Sequence, residues 1–191
     1  MRQATSCRES RGSHSNMMKR IYAGVAIFGA SLMALGAICY VTGARINTTK
    51  SIPVGLYWTT DSPIEKGAYV LFCPPEIGVF ATAKERGYIG AGFCPGGYGY
   101  MMKRILAAKG DTVEITDKGV VVEGDLLEHS KLITTDPAGR ELPRYQATQY
   151  TLGSSELLLM SDVSGTSFDA RYFGPVNRSQ VKTVIRPVFI W

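Results

Sequence analysis

"DTVEITDKGVVVEGD" (residues 111–125) contains the clearest secondary-structure pattern in the chain. Apolar and polar residues alternate on both sides of an Asp117-Lys118-Gly119 turn, which is typical of a β-hairpin. Other short strands are predicted at "GLYWTT" (55–60), "GAYVLFC" (67–73), "MMKRILAA" (101–108), "ELLLM" (156–160) and "KTVIRPVFIW" (182–191). Strands this short and frequent predict a mainly β domain, an antiparallel sandwich or barrel.

The chain between these strands contains one predicted helix and two irregular regions. "PPEIGVFATAKERG" (74–87) has apolar residues at helical spacing, and Gly87 stands where a helix often ends. Glycine-rich residues 90–99 lack the spacing of a dinucleotide-binding motif and are predicted to form a loop. Residues 125–150 are polar and are predicted to be irregular, with a turn at 137–139.

An apolar segment without a charged residue, "IYAGVAIFGASLMALGAICYVTG" (21–43), precedes this region. A helix of that length spans about 30 Å, the thickness of a bilayer core. A cleaved signal peptide is the alternative, but the apolar regions of such peptides are shorter, about 7–15 residues. The sequence therefore favours a retained transmembrane anchor followed by an exported domain, residues 44–191.

The net charge of +5 is concentrated at the N-terminus. Residues 1–20 contain five basic side chains and one acidic side chain, a net of +4, so residues 21–191 contribute only +1. Positive charge before an apolar segment is typical of a cytoplasmic N-terminus. We therefore predict that residues 1–20 are a disordered basic cytoplasmic tail, and the charge gives little support to nucleic-acid binding.

His129 is the single histidine of the predicted exported domain. One histidine cannot form a zinc site alone, and the chain lacks both a His-Glu-x-x-His motif and a Gly-x-Ser-x-Gly elbow. We interpret His129 as a surface residue and predict no metal and no cofactor.

Cys73 and Cys94 both lie in the predicted exported domain, whereas Cys7 and Cys39 lie in the tail and the apolar segment. An oxidising compartment favours a disulfide between Cys73 and Cys94, which could stabilise the fold by roughly 3 kcal/mol. Two free buried thiols are the alternative.

Ser51, in "NTTKSIPVGLYW" (47–58), is either a turn residue before a strand or a nucleophile close to a membrane. Without a histidine, a serine can be activated by a lysine that burial has made neutral. Lys103 shares one strand face with Met101, Ile105 and Ala107, which would bury it. The alternative is a solvated lysine at the end of a strand.

A second polar cluster lies in "SDVSGTSFDARYFGPV" (161–176), after an apolar strand. The residues of interest are Ser167, Asp169 and Arg171. They form either a turn-rich connection with an Asp169–Arg171 ion pair, or a shell that orients the lysine through a hydroxyl.

Three blocks, "SIPVGLYW", "MMKRILAAKGDTV" and "SFDARYFGPV", in this order resemble the signal peptidase I superfamily, peptidase family S26. The Ser-x-Pro-x-Gly-Leu-Tyr pattern, "FCPP" (72–75), "CPGG" (94–97) and "RYFGP" (171–175) are most similar to its conjugative-transfer branch, the TraF-type peptidases that mature pilin. The resemblance covers nearly the whole chain from the apolar segment onward. It implies a signal-peptidase-like β fold with one N-terminal transmembrane helix, in the bacterial inner membrane with a periplasmic catalytic domain.

The resemblance also implies residue roles. Ser51 would be the nucleophile, Lys103 the general base, Ser167 a hydrogen-bond partner of the lysine, Asp169 and Arg171 an ion pair that holds the site, and Thr49 with the Ser51 N–H the oxyanion donors. The implied partners are the lipid bilayer and a membrane-embedded pilin or preprotein, which the enzyme would cleave and, for a pilin, could also cyclise.

Three other functions are compatible with parts of this pattern. One is a general signal peptidase, and another is a non-catalytic membrane-tethered β module of a secretion or conjugation assembly. The third is a self-cleaving repressor, which would need a DNA-binding helix-turn-helix where this chain has its apolar segment.

Overall fold

The computed structural model describes the backbone of residues 6–191 and the side chains of residues 16–191. The chain divides into two compact units between Ala44 and Arg45.

The first unit contains one long helix, α1 (Ser6–Val41). Within its Asn16–Val41 part, an 18-residue window has a mean hydropathy of 2.0, and this window is not buried. Such a helix is long and apolar enough to be a membrane anchor or a signal sequence. The helix also includes residues 6–20, for which we predicted disorder, because extending an existing helix costs little per residue. Residues 1–5 of that predicted tail lie outside the described residues.

The second unit is mainly β, as predicted. Its strands are β1 (Ala44–Asn47), β2 (Gly55–Thr60), β3 (Tyr69–Phe72), β4 (Ala91–Cys94), β5 (Met101–Ala107), β6 (Thr112–Thr116), β7 (Gly119–Val122), β8 (Asp125–Leu126), β9 (Ala147–Thr151), β10 (Glu156–Met160), β11 (Val176–Asn177) and β12 (Val181–Ile190). Two short helices, α2 (Gly78–Glu85) and α3 (Ala170–Phe173), lie between them.

The strands form two antiparallel sheets. The larger has the order β1-β2-β12-β3-β5-β10-β11, and the smaller has the order β8-β7-β6-β9. The C-terminal strand β12 lies inside the larger sheet, where Val184 pairs with both Thr60 of β2 and Val70 of β3. Side chains of both sheets, such as Ile105 and Ile115, belong to one buried hydrophobic cluster.

The local predictions succeed where a strand has one buried face. The β6–β7 hairpin forms with Thr116 opposite Gly119, and alternate residues of β5 are buried. The structure differs at β4 and β9, which lie in regions predicted to be irregular. Strand β9 is an almost fully exposed edge strand, so its sequence lacks the alternation that a buried face imposes.

Helix α2 begins at Gly78, later than the predicted start near Pro75, and ends as predicted. Gly87 has a φ of +78°, and the Tyr88 N–H donates to the Ala83 carbonyl at 2.8 Å. Glycine adopts this left-handed conformation without a steric penalty, and the hydrogen bond closes the last helical turn. This ending fixes the direction in which the chain leaves the helix at Tyr88, which lines the candidate site.

Candidate active site

Lys103 is a buried lysine in the middle of a sheet. Its side chain lies on the buried face of β5 with Met101 and Ile105, and its residue is only 1% exposed. The Nζ atom donates a hydrogen bond to the Ser167 hydroxyl at 2.6 Å. Burial lowers the pKa of Lys103 from 10.5 to about 8, although the Asp169 carboxylate opposes this shift. A substantial neutral fraction near pH 8 is what a general base requires.

Asp169 and Arg171 form a buried ion pair next to Ser167. Asp169 Oδ1 accepts from Arg171 Nε and Oδ2 accepts from Arg171 Nη2, each at 2.8 Å. The same carboxylate caps α3 by accepting from the Arg171 N–H, and it accepts from the Ser161 N–H at 3.2 Å. Such a bidentate pair fixes geometry as well as charge.

Arg171 also holds two loops through their backbone carbonyls. Its Nη1 donates to His129 O, Lys131 O and Gly165 O at 3.1, 3.0 and 2.7 Å. Its Nη2 donates to Ser167 O at 2.9 Å. The guanidinium therefore fixes the residue whose hydroxyl contacts Lys103. The role of the His129 and Lys131 carbonyls as acceptors was not predicted, because every residue has a backbone carbonyl and the sequence does not distinguish one from another.

Ser51 lies in an irregular loop, residues 48–53, which we call the Ser51 loop. Asn47, 4% exposed at the end of β1, organises this loop with its side chain. Its Nδ2 atom donates to the carbonyls of Thr49, Ile52 and Pro53 at 2.7, 2.9 and 3.1 Å. Asn47 was not predicted as a site residue, although an asparagine just before a polar turn is a recognised signal for such local hydrogen bonds.

Thr49, the predicted second oxyanion donor, is held by the same amide. Its hydroxyl and its backbone N–H donate to Asn47 Oδ1 at 3.0 and 3.2 Å. The Thr49 hydroxyl would have to rotate away from Asn47 in order to contact a substrate oxyanion. The Ser51 N–H, in contrast, donates to no acceptor within the described part of the chain.

Ser51 and Lys103 line one cavity of about 250 Å³, which we call the lysine-side cavity. Tyr88 and Phe168 form part of its wall. No hydrogen bond joins Ser51 to Lys103 among the side chains of residues 16–191. Catalytic hydrogen bonds often tighten only when substrate binds, so their absence from a free enzyme does not exclude a dyad.

A further charged pair, Arg104 and Asp162, connects the residue after Lys103 to the residue after Ser161 and was not predicted. Arg104 Nη1 donates to Asp162 Oδ2 at 2.8 Å, and the Tyr69 hydroxyl donates to the same oxygen at 2.9 Å. The Arg104 Nε donates to the Gly67 carbonyl at 3.0 Å. These bonds connect β3 and β5 to Asp162, near the start of the segment between β10 and α3 that contains Ser167.

The two cysteines predicted to pair are joined. The structure contains a disulfide between Cys73 and Cys94, with the Cα atoms 5.5 Å apart. The side chain of His129 is exposed, in agreement with its interpretation as a surface residue. Among the side chains that the structure describes, no group of three or more His, Cys, Asp or Glu residues could hold a metal ion.

Comparisons with known proteins support the resemblance seen in the sequence. A family model described as "Signal peptidase, peptidase S26" matches residues 14–191. The chain is 69% identical over 177 residues to a plasmid transfer protein TraF of Escherichia coli, and the aligned region covers 93% of this chain and 99% of that protein. It is 35% identical over 170 residues to a conjugal transfer protein TraF of Agrobacterium fabrum, with coverages of 87% and 91%. A crystal structure of a signal peptidase I from Enterococcus faecalis gives a TM-score of 0.39 at 18% identity, covering 65% of this chain and 98% of that one.

Proposed function

The chain belongs to the signal peptidase family S26, and we propose that it is a membrane-anchored Ser51–Lys103 peptidase that cleaves a pilin precursor for conjugative transfer. The names of its relatives support a role in conjugation. The burial of Lys103 carries the proposal, because a lysine 1% exposed with a pKa of about 8 in the same cavity as a serine is suited to act as a base.

The first step is acylation of Ser51. Neutral Lys103 accepts the Ser51 proton while Oγ attacks the carbonyl carbon of the scissile amide. The Ser51 N–H stabilises the resulting oxyanion, and the Thr49 hydroxyl joins it after rotating away from Asn47. One good donor of this kind contributes about 3 kcal/mol.

The second step releases the leaving group and then the acyl group. The Lys103 ammonium donates its proton to the leaving amine, the carbon–nitrogen bond breaks, and an ester to Ser51 remains. Water then attacks the ester while Lys103 again accepts a proton, the carbon–oxygen bond to Ser51 breaks, and Lys103 returns the proton to Ser51 Oγ. An amine of the substrate could attack in place of water, which would join two ends of a peptide.

The edge of β5 provides a place for the acyl side of an extended substrate. Strand β3 pairs with β5 along Met101–Arg104, whereas β10 pairs with β5 only from Arg104 to Ala107. Residues 101–103 therefore lack a neighbouring strand on the β10 side within the described chain. A peptide added there would form main-chain hydrogen bonds next to Lys103.

The N-terminal helix supports a membrane-embedded substrate and a lipid bilayer as partners. Ser51 follows the last residue of α1, Val41, by only ten residues in the sequence. We propose that the helix anchors the protein in the bacterial inner membrane, with its N-terminus in the cytoplasm and residues 44–191 in the periplasm. A substrate anchored in the same membrane would present its scissile bond near the bilayer surface.

The test compares cleavage of a pilin precursor by the purified full-length protein and by Ser51→Ala, in detergent micelles. Ser154→Ala, which changes an exposed serine, is the matched control. We expect the wild type and Ser154→Ala to cleave at one site after a small residue, and Ser51→Ala to lose cleavage while its melting temperature is retained. Mass spectrometry of the product distinguishes hydrolysis from cyclisation by the mass of one water.

The other functions predict different results. If Ser51→Ala processes the pilin precursor as the wild type does, the protein is a non-catalytic module and the cleavage has another source. Equal cleavage of unrelated preproteins and of the pilin precursor would favour a general signal peptidase.

A further inference from the structure

A second cavity meets the lysine-side cavity at Ser51. It has a volume of about 570 Å³, and we call it the hairpin-side cavity. Thr49, Ser51, Tyr88 and Phe168 line both cavities, so the two aromatic rings stand between them and the serine is accessible from both. Two cavities that meet at a nucleophile match the two sides of a scissile bond.

One wall of the hairpin-side cavity is a hydrogen-bonded hairpin, residues 134–142. The Leu142 N–H donates to the Thr134 carbonyl at 2.9 Å, and Asp136 Oδ1 accepts from the N–H groups of Ala138 and Arg140. The Tyr88 hydroxyl donates to Asp136 Oδ2, and this bond holds the pKa of Asp136 well below its usual range. The cavity wall is therefore preformed and tied to the ring that separates the two cavities.

The lining of this cavity is largely apolar. Ile133, Leu142, Phe168 and Tyr172 contribute to it, and the hydroxyls of Ser164 and Thr166 lie among them. A volume of about 570 Å³ is within the usual range for ligand sites. Its composition suits an apolar side chain flanked by a peptide backbone.

The position of Ser167 indicates which side of the substrate enters this cavity. Ser167 lines the hairpin-side cavity and accepts the hydrogen bond from Lys103. Lys103 itself lines only the lysine-side cavity, so the Ser167 hydroxyl connects a leaving amine in the hairpin-side cavity to the lysine that must protonate it. The lysine-side cavity instead adjoins the unpaired edge of β5, which can keep the acyl chain bound after the leaving group departs.

We propose that the hairpin-side cavity binds the residue that directly follows the scissile bond, and that it selects an apolar side chain there. This inference rests on the proposed peptidase function. In that reaction the carbon–nitrogen bond breaks and its nitrogen takes the proton from Lys103, so the cavity holds the leaving group until release. It then admits the water or amine that attacks the ester.

The experiment uses full-length protein and three substrates with the same acyl side. Two are peptides with leucine or aspartate directly after the scissile bond, and the third is an ester whose small alcohol replaces the leaving peptide. Leu142→Trp fills the cavity, and Leu126→Trp makes the same change at a leucine that is 64% exposed on β8. Leu142→Ala enlarges the cavity.

We expect the wild type to prefer leucine over aspartate by at least roughly tenfold in kcat/KM, the discrimination typical of an apolar pocket. Leu142→Trp should lower the ratio of kcat/KM for the leucine peptide to that for the ester by a similar factor. Leu126→Trp should leave this ratio unchanged. On one further peptide, with tryptophan directly after the scissile bond, Leu142→Ala should gain kcat/KM relative to the leucine peptide, which a merely misfolded variant would not do.

Each other outcome overturns the inference. An equal loss on the ester and the peptide, or no loss at all, would show that the cavity does not bind the leaving side. A changed preference for the residue before the scissile bond would place the acyl side there instead. If the wild type cleaves neither peptide, the proposed function itself fails, whereas a wild type that cleaves both peptides equally refutes only the subsite.

Discussion

Lys103 and Ser51 line the same cavity but are held in different ways. Lys103 lies on β5, where it pairs with Val70 of β3, and its position is set by main-chain pairing and by burial. Ser51 lies in an irregular loop in which three carbonyls accept hydrogen bonds from one side-chain amide, that of Asn47. The base thus depends on the whole sheet for its position and its pKa, whereas the nucleophile depends on a few local hydrogen bonds. Substitutions at Lys103 and substitutions in the Ser51 loop should therefore have distinguishable effects on rate, pH dependence and stability.

The largest effect is expected from removing the base. Lys103→Met should lower kcat by about 10²–10⁴-fold, the usual contribution of a general base. It should also stabilise the fold at pH 7, because the buried ammonium has a pKa of about 8 in the folded protein against 10.5 for an ordinary lysine. Protonation at pH 7 then costs the wild type roughly 3 kcal/mol of unfolding free energy.

The pH dependence of that stability difference identifies its cause. The cost is fully present below pH 8 and disappears as the pH rises towards 10.5, because the unfolded chain then also loses the proton. The advantage of Lys103→Met should shrink by about 1 kcal/mol between pH 8 and pH 9, measured by chemical denaturation. Lys103→Arg should be inactive and destabilised, since a guanidinium cannot lose its proton. A wild type as stable as Lys103→Met at pH 7 would contradict the burial argument.

The next largest effect is expected at Asp169. Asp169→Asn breaks a buried ion pair, which should cost about 3–5 kcal/mol of stability, and it loosens Ser167, which could cost up to roughly 100-fold in rate. The wild-type rate should rise through pH 8 and remain high above it. Because the Asp169 charge raises the pKa of Lys103, the rising limb of Asp169→Asn should move to lower pH.

Asp117→Asn is the matched control, since Asp117 pairs with Arg144 at 3.8 Å on the surface. Such exposed pairs contribute at most about 1 kcal/mol, and we expect an unchanged pH profile. If Asp169→Asn lowers the melting temperature but leaves both turnover and the pH midpoint intact, Asp169 serves only to hold its loop together.

The position and burial of Lys103 on β5 are well predicted by the sequence. The alternation of Met101, Lys103, Ile105 and Ala107 is visible in the sequence because a strand with one buried face requires it. The Ser51 loop is different, since the bonds from Asn47 are made to carbonyls, which every residue possesses. The hairpin-side cavity could not be predicted either, because residues 125–150 lack periodicity and their structure depends on side chains such as Asp136.

A smaller effect on rate is expected from Asn47→Ala. The variant leaves the carbonyls of Thr49, Ile52 and Pro53 without their amide donor, and we expect a loss of about 1–3 kcal/mol of stability and roughly tenfold in kcat. The midpoint of the pH–rate profile should stay at its wild-type value, because Asn47 makes no hydrogen bond to Lys103. Asn177→Ala, at an exposed asparagine that caps a short turn, is the control.

The labelling rate of Ser51 by a serine-reactive fluorophosphonate separates positioning from general destabilisation. We expect it to fall in Asn47→Ala under conditions where the variant is fully folded, and to be unchanged in Asn177→Ala. A displaced pH midpoint in Asn47→Ala would mean that the Ser51 loop and the lysine are not held independently.

The smallest effect on rate is expected from removing the disulfide. Cys73→Ala/Cys94→Ala opens a loop with a sequence separation of 21 residues, which should lower the unfolding free energy by about 3 kcal/mol. Gly90, within this loop, and Tyr100, next to it, border the lysine-side cavity, so activity would fall if the disulfide alone positioned them. Two other contacts hold the same wall, however. The Gly99 N–H donates to the Gly90 carbonyl at 2.6 Å, and Met101 pairs with Phe72 beside Cys73.

We therefore expect turnover per folded molecule to match that of Cys39→Ala, which leaves the disulfide intact, while the denaturation midpoint falls. A turnover that drops in parallel with the lost disulfide, at a temperature where the protein is fully folded, would show that the sheet alone does not position the base side of the site.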